Sequence, residues 1–205
     1  QDYGETVQKA INRKQSFSTV ETVHNLAKEI GYTSISHDLV FGLPFQKMEH
    51  ILNTIKLTES LKPDRISLYS YAHVPWIKGV GQRGYDEANL PKDAEKRALY
   101  EAAKATLEQL GYHEIGMDHF ALSTDELYSA FHNGRLHRNF MGYTTNTTKL
   151  MIGLGMSAIS DSWYGFAQNE KSVKAYAERL DREELPVFKG HILSEEDVVL
   201  RKHIL

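Results

Sequence analysis

The stretch SISHDLVFGLP, residues 34–44, decides the fold. Its side chains alternate between apolar and polar, which is the period of a β-strand, and Gly42 and Pro44 end the pattern. A second strand-like stretch, RISLYSYAH, follows at residues 65–73, and a helical pattern over about 47–61 separates the two. Helix and strand therefore alternate, which predicts βα units with a parallel sheet.

One face of the first strand is polar, because Ser34, Ser36 and Asp38 share it. A parallel strand that is covered on both faces should be apolar nearly throughout. This face therefore either lines a solvated or ligand-filled lumen, or belongs to an edge strand. A carboxylate within a strand is costly unless it is paired or hydrogen-bonded. We expect Asp38 to accept hydrogen bonds from ribose hydroxyls, or to pair with a cation such as Arg13.

The rest of the chain mixes helical and strand-like segments. The apolar spacing predicts five further helices, over 5–13, 17–30, 91–110, 170–180 and from 194 to the end. The buried face of the helix over 17–30 is expected to hold Val20, Val23, His24, Ala27 and Ile30. Ser123 and Glu126 form a capping-box pattern, which predicts the start of a short helix. The strand-like segments lie at 112–116, 117–122, 137–145 and 150–160.

Composition excludes several classes of protein. The 205 residues carry 24 Lys and Arg against 27 Asp and Glu, so the net charge of -3 gives no attraction to nucleic acid or to anionic lipid. No apolar run reaches the ~20 residues of a membrane span. There is no Cys, which excludes a disulfide, a thiolate-bound zinc and a cysteine-held iron–sulfur cluster within this chain. We expect a cytoplasmic protein without nucleic-acid or membrane partners.

Two motifs suggest other functions. His73, the Asp118–His119 pair and His137 could bind zinc, manganese or iron in a metal-dependent barrel hydrolase. Their spacing matches no tight metal motif, so hydrogen-bonded or exposed histidines are the other interpretation. The segment GLGMSA, residues 153–158, fits the relaxed dinucleotide fingerprint G-x-G-x-x-A. A poor helix start follows it, which favours close backbone packing over nucleotide binding.

A family resemblance comes from six motifs that occur in order. They are QDYGETVQKAINRKQ from residue 1, DLVFGLP from 38, YAHVP from 71, IGMDHFAL from 115, LHRNFMGYTT from 136 and GLGMSAIS from 153. Together they resemble oxygen-independent coproporphyrinogen III oxidase, a radical S-adenosylmethionine enzyme family, over essentially the whole chain. The motifs from 115 and 136 favour this family over the haem chaperones and haem-degrading enzymes that share its barrel.

The resemblance implies a fold, an activity and a domain organisation. The fold is an α/β one, the later portion of a partial (β/α) barrel with a family-specific C-terminal extension. Residues 1–165 would hold that portion, and 166–205 would form a helical connection towards a further C-terminal domain. The implied activity is oxidative decarboxylation of coproporphyrinogen III to protoporphyrinogen IX in haem biosynthesis. It needs an electron donor, which the resemblance does not identify.

The resemblance also implies cofactors and their contacts. Members of the family hold a [4Fe-4S] cluster on a cysteine loop, which this chain lacks, and two S-adenosylmethionine molecules. The residues that match S-adenosylmethionine contacts are Gln1, Arg13, Asp38, Ala72, Phe140, Met141 and Ile159. Met141 stands where the family usually has Gln. We therefore expect a piece of a longer oxidase that is inactive alone, with a haem-binding chaperone and a metal-dependent hydrolase as the rival classes.

The first prediction concerns the chain by itself. Because cluster iron needs thiolate ligands and the chain has none, the isolated 205 residues should take up no [4Fe-4S] cluster and form no deoxyadenosine under strong reductant. An open edge strand should also make the isolated chain poorly soluble or oligomeric. Iron and sulfide analysis with a deoxyadenosine assay tests this. Stoichiometric cluster and product formation would show that the prediction is wrong.

Overall fold

Two compact units make up the chain in the computed structural model, which describes residues 2–74, 76, 85–139 and 142–204. The first unit is Gln1–Arg135 and the second is Leu136–Leu205. The position between residues 165 and 166, where the sequence analysis placed a domain boundary, falls inside the second unit. Gly165 and Phe166 both belong to the strand Gly165–Asn169, which pairs with the strand Ile159–Ser162 in one sheet.

The first unit contains five α-helices and four strands within its described residues. The helices are α1 (Glu5–Ala10), α2 (Phe17–Glu29), α3 (Met48–Leu61), α4 (Asp93–Gln109) and α5 (Glu126–His132). The strands are β1 (Ser36–Phe41), β2 (Arg65–Ser70), β3 (Tyr112–Gly116) and β4 (His119–Leu122). A short 3-10 helix, Glu87–Asn89, precedes α4.

The four strands form one sheet in the spatial order β1-β2-β4-β3. β1 and β2 run parallel, with Ser36 opposite Arg65 and Phe41 opposite Ser70, and α3 connects them. β4 pairs antiparallel with both β2 and β3. The expected parallel arrangement therefore holds for β1 and β2 only, because β3 returns through a tight hairpin as β4.

The hydrophobic core lies on one face of this sheet. α3 and α4 cover that face with residues at helical spacing, and the apolar side chains of the strands meet them there. The core residues are Leu39, Phe41, Ile51, Ile55, Ile66, Leu68, Leu99, Ala103, Leu107, Tyr112 and Phe120. Each helix thus packs a single apolar stripe against the strands, as an amphipathic helix should.

The opposite face of β1 is polar, as the alternation predicts. Ser36 and Asp38 are exposed, whereas Leu39 and Phe41, which project from the other face, are buried. Within the described residues, β1 pairs with β2 alone and so ends the sheet. The two interpretations of the polar strand are therefore compatible, because β1 is an edge strand with a solvated face.

The apolar face of α2 differs from the expectation. Only His24 of its residues is buried. Val23 and Ile30 are 63% and 66% exposed, so the prediction that they lie in the core is wrong. The helical period was right, but within the described residues little packs against this stripe beyond β1 and α3.

A buried carboxylate joins α5 to the sheet. Asp125 is the N-cap of α5, because its carboxylate accepts a hydrogen bond from Leu127 N at 2.7 Å. The predicted cap at Ser123 is therefore wrong. The same carboxylate accepts from Arg65 Nε at 2.7 Å and from the Ser34 hydroxyl at 2.6 Å. Three segments distant in sequence thus meet at one side chain that is 4% exposed.

The second unit is mainly antiparallel β-structure. Its strands are β5 (His137–Asn139), β6 (Gly142–Thr144), β7 (Leu150–Met151), β8 (Ile159–Ser162), β9 (Gly165–Asn169) and β10 (Val187–Ile192). β5 and β6 pair with each other, and the other four form a sheet in the order β10-β9-β8-β7. Its helices are α6 (Val173–Asp181) and α7 (Glu195–Ile204). The segment expected as a helical connection therefore also contains β9 and β10.

One guanidinium holds α7 against this sheet. Arg201 pairs with Asp161 at 2.9 Å and donates to the Ser162 carbonyl oxygen at 2.9 Å. The same group lies 5.2 Å from the ring centroids of Trp163 and Phe166. The contacts combine a charge pair with cation–π stacking, which the planar guanidinium of arginine suits better than a lysine ammonium.

Among the described residues, no helix has both the length and the apolar character to span a membrane.

The second prediction concerns Asp125. Replacing it with Ala leaves Arg65 without its partner and removes the cap of α5, so the free energy of unfolding should fall by about 3 kcal/mol. Denaturant unfolding measures the change. The matched control is Glu5→Ala, which removes an exposed helix ion pair to Lys9 and should leave stability unaltered. Equal effects of the two variants would refute the role of Asp125.

Candidate active site

A cleft of about 390 Å³ runs along the open edge of β1. The segment around Arg13, the inner side of α2 and the strand itself form its walls. Arg13 and Asp38, two of the residues expected to bind a cofactor, both line it. The volume falls in the range of small-molecule sites. The cleft lies beside the strand rather than above its carboxyl end, because Asp38 is in the first half of β1.

The loop that carries Arg13 is held by one amide side chain. Asn12 adopts a left-handed conformation with φ of 50° after α1, and Arg13 N donates to the Gln8 carbonyl oxygen at 3.0 Å. The Gln8 amide nitrogen donates to the Gln15 carbonyl at 2.8 Å, and its oxygen accepts from Gln15 N at 3.0 Å. The loop is thus fixed on both sides of Arg13 while its guanidinium remains exposed.

Asp38 lies on the polar face of β1, opposite Ser67 of β2. Arg13 and Asp38 line the same cleft but form no ion pair among the described residues, so the salt bridge considered from the sequence is not present. The Arg13 guanidinium and the Asp38 carboxylate therefore line the same cleft without neutralising each other. Such a pair can bind a zwitterionic or sugar-containing ligand, with the carboxylate accepting hydrogen bonds and the guanidinium donating them.

A buried glutamine fixes the end of β1 to the start of the chain. The Gln46 amide oxygen accepts from Gly42 N at 2.7 Å. Its nitrogen donates to the Val40 carbonyl at 3.0 Å and to the Asp2 carboxylate at 2.8 Å. Gly42 has φ of +81°, a conformation that favours glycine. The residue next to Gln1 is thereby tied to the strand end, whereas Gln1 itself lies outside the described residues.

The segment after β2 is fixed by two phenols and a lysine. The Tyr85 hydroxyl hydrogen-bonds the Tyr71 hydroxyl and lies 3.1 Å from His73 Nδ1. Lys96 Nζ donates to the Tyr71 carbonyl at 2.7 Å. Burial, and then the Tyr71 hydrogen bond, raise the pKa of Tyr85, so it is a neutral phenol at pH 7. Ala72, another expected contact, is exposed between these anchored residues.

A histidine pair fills the space between α2 and β1. His24 Nδ1 lies 3.1 Å from His37 Nε2, and the two rings meet edge to face. Burial, and then the charge of His24, lower the pKa of His37 to about 4. Burial also lowers the pKa of His24. Both rings are therefore neutral at pH 7, so that one nitrogen donates and the other accepts.

The remaining expected contacts lie in the second unit. Ile159 begins β8, and Phe140 and Met141 lie outside the described residues. The glycine segment before β8 is closely packed, because a Cβ on Gly153 would lie 2.7 Å from the Ile159 carbonyl oxygen. The Asn169 amide donates to the carbonyls of Gly153 and Gly155. No helix follows the GLGMSA segment, so close packing explains these glycines and the dinucleotide interpretation is wrong.

The histidines singled out as metal ligands do not converge. His73 contacts Tyr85, His119 begins β4, and His137 belongs to β5 of the other unit. Across the part of the chain that the structure describes, no three His, Asp or Glu side chains form a group able to hold a metal ion.

Several site residues escaped the sequence argument. Tyr69 lines the cleft beside Asp38, and Gln8 and Gln46 hold its walls. The polar alternation that marked Asp38 continues through Ser67 and Tyr69 of the second strand and could have revealed that residue. The glutamines gave no such signal, since their partners are backbone groups and, for Gln46, also the distant Asp2 carboxylate.

Comparisons with known proteins agree with this fold. No family model matches the chain. It is 43% identical to the oxygen-independent coproporphyrinogen III oxidase of Helicobacter pylori strain J99, over 100% of the chain and 44% of that protein. The corresponding enzymes of Synechocystis and Escherichia coli are each 41% identical over 98% of the chain, and it covers 43% and 44% of them. The family resemblance is confirmed.

A solved structure supports the same family and fold. The Escherichia coli coproporphyrinogen III oxidase, described as a radical S-adenosylmethionine enzyme, superposes with a TM-score of 0.89 at 41% identity. The match covers 100% of this chain and 47% of that one. The α/β fold class predicted as a portion of a radical S-adenosylmethionine barrel is thereby confirmed. The chain spans less than half the length of the relatives it matches.

The chain's residues fit one implied cofactor and not the other. The 205 residues include no Cys, so they offer no thiolate to an iron–sulfur cluster. The cleft with Arg13 and Asp38 does fit S-adenosylmethionine, which carries a carboxylate, an ammonium and ribose hydroxyls. A guanidinium fork suits the first of these groups and a carboxylate suits the other two.

The third prediction concerns pH and the histidine pair. The pKa of His37 is about 4 in the folded protein against 6.5 ordinarily, so the unfolded state binds the proton more readily. Stability should be fully present above pH 6.5 and fall as the pH drops towards 4, by on the order of 1–2 kcal/mol once solvent screening is allowed for. Denaturant unfolding at pH 7.5 and pH 5 measures this. A His37→Gln variant should lose the His37 part of this dependence while His24 keeps its own, and an unchanged slope would contradict the assignment.

Proposed function

We propose that this chain is part of an oxygen-independent coproporphyrinogen III oxidase. Such an enzyme converts coproporphyrinogen III to protoporphyrinogen IX by oxidative decarboxylation of two propionate side chains. The observation that carries the proposal is a charged cleft suited to S-adenosylmethionine, in a chain that matches these oxidases along its whole length. A cytoplasmic location, an electron donor as partner and the absence of nucleic-acid or membrane partners remain predictions.

The cleft would hold one S-adenosylmethionine, with a second elsewhere in the enzyme. Asp38 would accept hydrogen bonds from the ribose hydroxyls or the ammonium, and Arg13 would bind the carboxylate. Gln8 and Gln46 keep the two charges in place through backbone contacts. S-adenosylmethionine bound there would supply the radical chemistry for hydrogen abstraction, and this chain's residues would hold and orient it.

Five further residues would complete the cofactor contacts. Ala72 is exposed after β2, where Tyr85 and Lys96 fix its neighbours. Ile159, at the start of β8, carries the expectation of an apolar contact with the cofactor. Gln1, Phe140 and Met141 carry the same expectation from their motifs, and Met141 has a thioether where the family usually has an amide. The role of this chain is to bind and orient, since it has no thiolate for the cluster.

The fourth prediction tests the activity. The full-length protein, reconstituted without oxygen, should convert coproporphyrinogen III to protoporphyrinogen IX when S-adenosylmethionine and a reductant are supplied. Porphyrin chromatography of the reaction mixture measures the product. Haem binding and transfer without decarboxylation would assign the protein to the chaperone class instead.

The fifth prediction tests the cleft. Loss of a charge-assisted contact costs about 2–3 kcal/mol, so Arg13→Ala and Asp38→Ala should each weaken S-adenosylmethionine binding roughly a hundredfold. Calorimetry on the full-length protein measures the affinity. Lys14→Ala is the matched control, because it removes a neighbouring positive charge that does not line the cleft. Unchanged affinity in both variants would refute the site.

A further inference from the structure

We propose that the Tyr69 hydroxyl donates a hydrogen bond to a propionate carboxylate of the porphyrinogen substrate. This inference rests on the proposed oxidase function and deepens it, because it names a substrate contact beside the cofactor. None of the seven cofactor contacts expected from the motifs includes Tyr69. The strand register, the fixed place of the ring and the position of its hydroxyl in the cleft carry the inference.

The register places Tyr69 on the polar face of the sheet, close to Asp38. Asp38 is opposite Ser67 in the parallel pair, and Tyr69 follows Ser67 by two residues on β2. Residues two apart on a strand share a face, so Tyr69 projects from the same face as Asp38. The strand spacing and the rise along the strand put their Cα atoms about 8 Å apart. Both residues line the cleft.

The ring of Tyr69 has a fixed place. It meets the ring of His119 edge to face, with the two planes at 88° and the centroids 6.1 Å apart. Aromatic pairs favour this arrangement. The His119 ring is itself anchored, because its Nδ1 lies 2.8 Å from the Met117 carbonyl oxygen. The Tyr69 ring therefore needs little further ordering when a ligand binds, which lowers the entropy cost of binding.

The hydroxyl of Tyr69 is available to a ligand in the cleft. Within the described part of the chain, it forms no hydrogen bond to another residue. The side chain is nevertheless half-buried, since Tyr69 lies in β2 and lines the cleft. A phenol in such a place usually has a hydrogen-bond partner. A ligand that fills the cleft would supply one.

The position favours the substrate over the cofactor as the partner of Tyr69. Arg13 and Asp38 suit the carboxylate, the ammonium and the ribose of S-adenosylmethionine, so these groups already have partners in the cleft. Tyr69 lies two positions closer to the carboxyl ends of the strands than Asp38 does. Active sites of α/β barrels open at those ends. A substrate held there would adjoin the cofactor, as hydrogen abstraction requires.

A propionate carboxylate is the substrate group that a phenol suits. It is anionic and only accepts hydrogen bonds, whereas the phenol O–H donates, and a charge-assisted bond is about twice as strong as a neutral one. The propionates are also the side chains that react, and CO2 leaves from the carboxylate form. A phenol can orient that carboxylate without protonating it, because phenols are far weaker acids than carboxylic acids.

Binding and kinetics of Tyr69→Phe test the proposal on the full-length protein. The variant keeps the ring and its contact with His119 and removes only the hydroxyl. The binding probe is coproporphyrin III, the stable oxidised form of the substrate, which keeps its carboxylates and is followed by its fluorescence. Its affinity should fall roughly tenfold, and KM for coproporphyrinogen III should rise similarly with kcat unchanged. S-adenosylmethionine affinity should not change.

The tetramethyl ester of coproporphyrin III tests which chemical group the hydroxyl contacts. The ester lacks the negative charge of the carboxylates, so it gains much less from a phenol donor. Tyr69→Phe should therefore bind the ester nearly as well as the wild-type protein does, with both probes measured in the same mild detergent. An equal loss for the acid and the ester would show that the hydroxyl does not act on a carboxylate.

The control is Tyr100→Phe, which removes a phenol on α4 that does not line the cleft. The Tyr100 hydroxyl donates to the Glu114 carboxylate at 3.0 Å, and its loss should leave porphyrin binding and KM unchanged. Wild-type porphyrin affinity in Tyr69→Phe, or a loss of S-adenosylmethionine affinity, would overturn the proposal.

The same measurements separate this contact from the oxidase function. If the wild-type protein binds coproporphyrin III without converting coproporphyrinogen III, the oxidase function fails, and a loss in Tyr69→Phe confined to the free acid still supports the contact. If the wild-type protein does neither, both proposals are wrong.

Discussion

The parallel pairing of β1 with β2 is the constraint on which the rest of the first unit depends. It aligns six residues on each strand and therefore fixes which side chains share a face. Leu39 and Leu68 lie together under α3 and α4, while Asp38 and Ser67 lie together on the other side. A slip of one residue would exchange the two faces and place Asp38 in the core. The burial of apolar side chains and the polarity of the site are thus two results of one register.

Neutral groups rather than ion pairs give the site its shape. Gln8 and Gln46 hold backbone atoms of the walls, and Tyr85 fixes the segment after β2. A buried amide meets its hydrogen-bonding needs with backbone partners and leaves no uncompensated charge. The charged residues Arg13 and Asp38 consequently remain exposed for a ligand. The polar contacts inside the protein therefore fix the walls of the cleft, and the charged side chains stay exposed to a ligand.

How much the sequence could predict depended on the range of the interactions. The alternation from residue 34 to 44 was enough to predict β1 and the place of Asp38 on its polar face, because both follow from the two-residue period of a strand. The antiparallel return of β4 was not predictable, since Met117 and Asp118 lack the residues typical of a two-residue turn. The exposed stripe of α2 also misled, because periodicity reports an apolar face but not whether anything covers it. Asp125 replaced Ser123 as the cap for a tertiary reason, its contact with Arg65 from another strand.

The side chain of Lys96 has a mechanical consequence. Its stem lies against Gly42, where a Cβ would come within 2.5 Å of Lys96 Cε, and its ammonium donates to the Tyr71 carbonyl. It therefore crosses the carboxyl ends of both parallel strands while its backbone belongs to α4, on the far side of the sheet. Any displacement of α4 along its axis would pull on both strand ends together. Lys96 thereby couples the position of α4 to the carboxyl ends of β1 and β2.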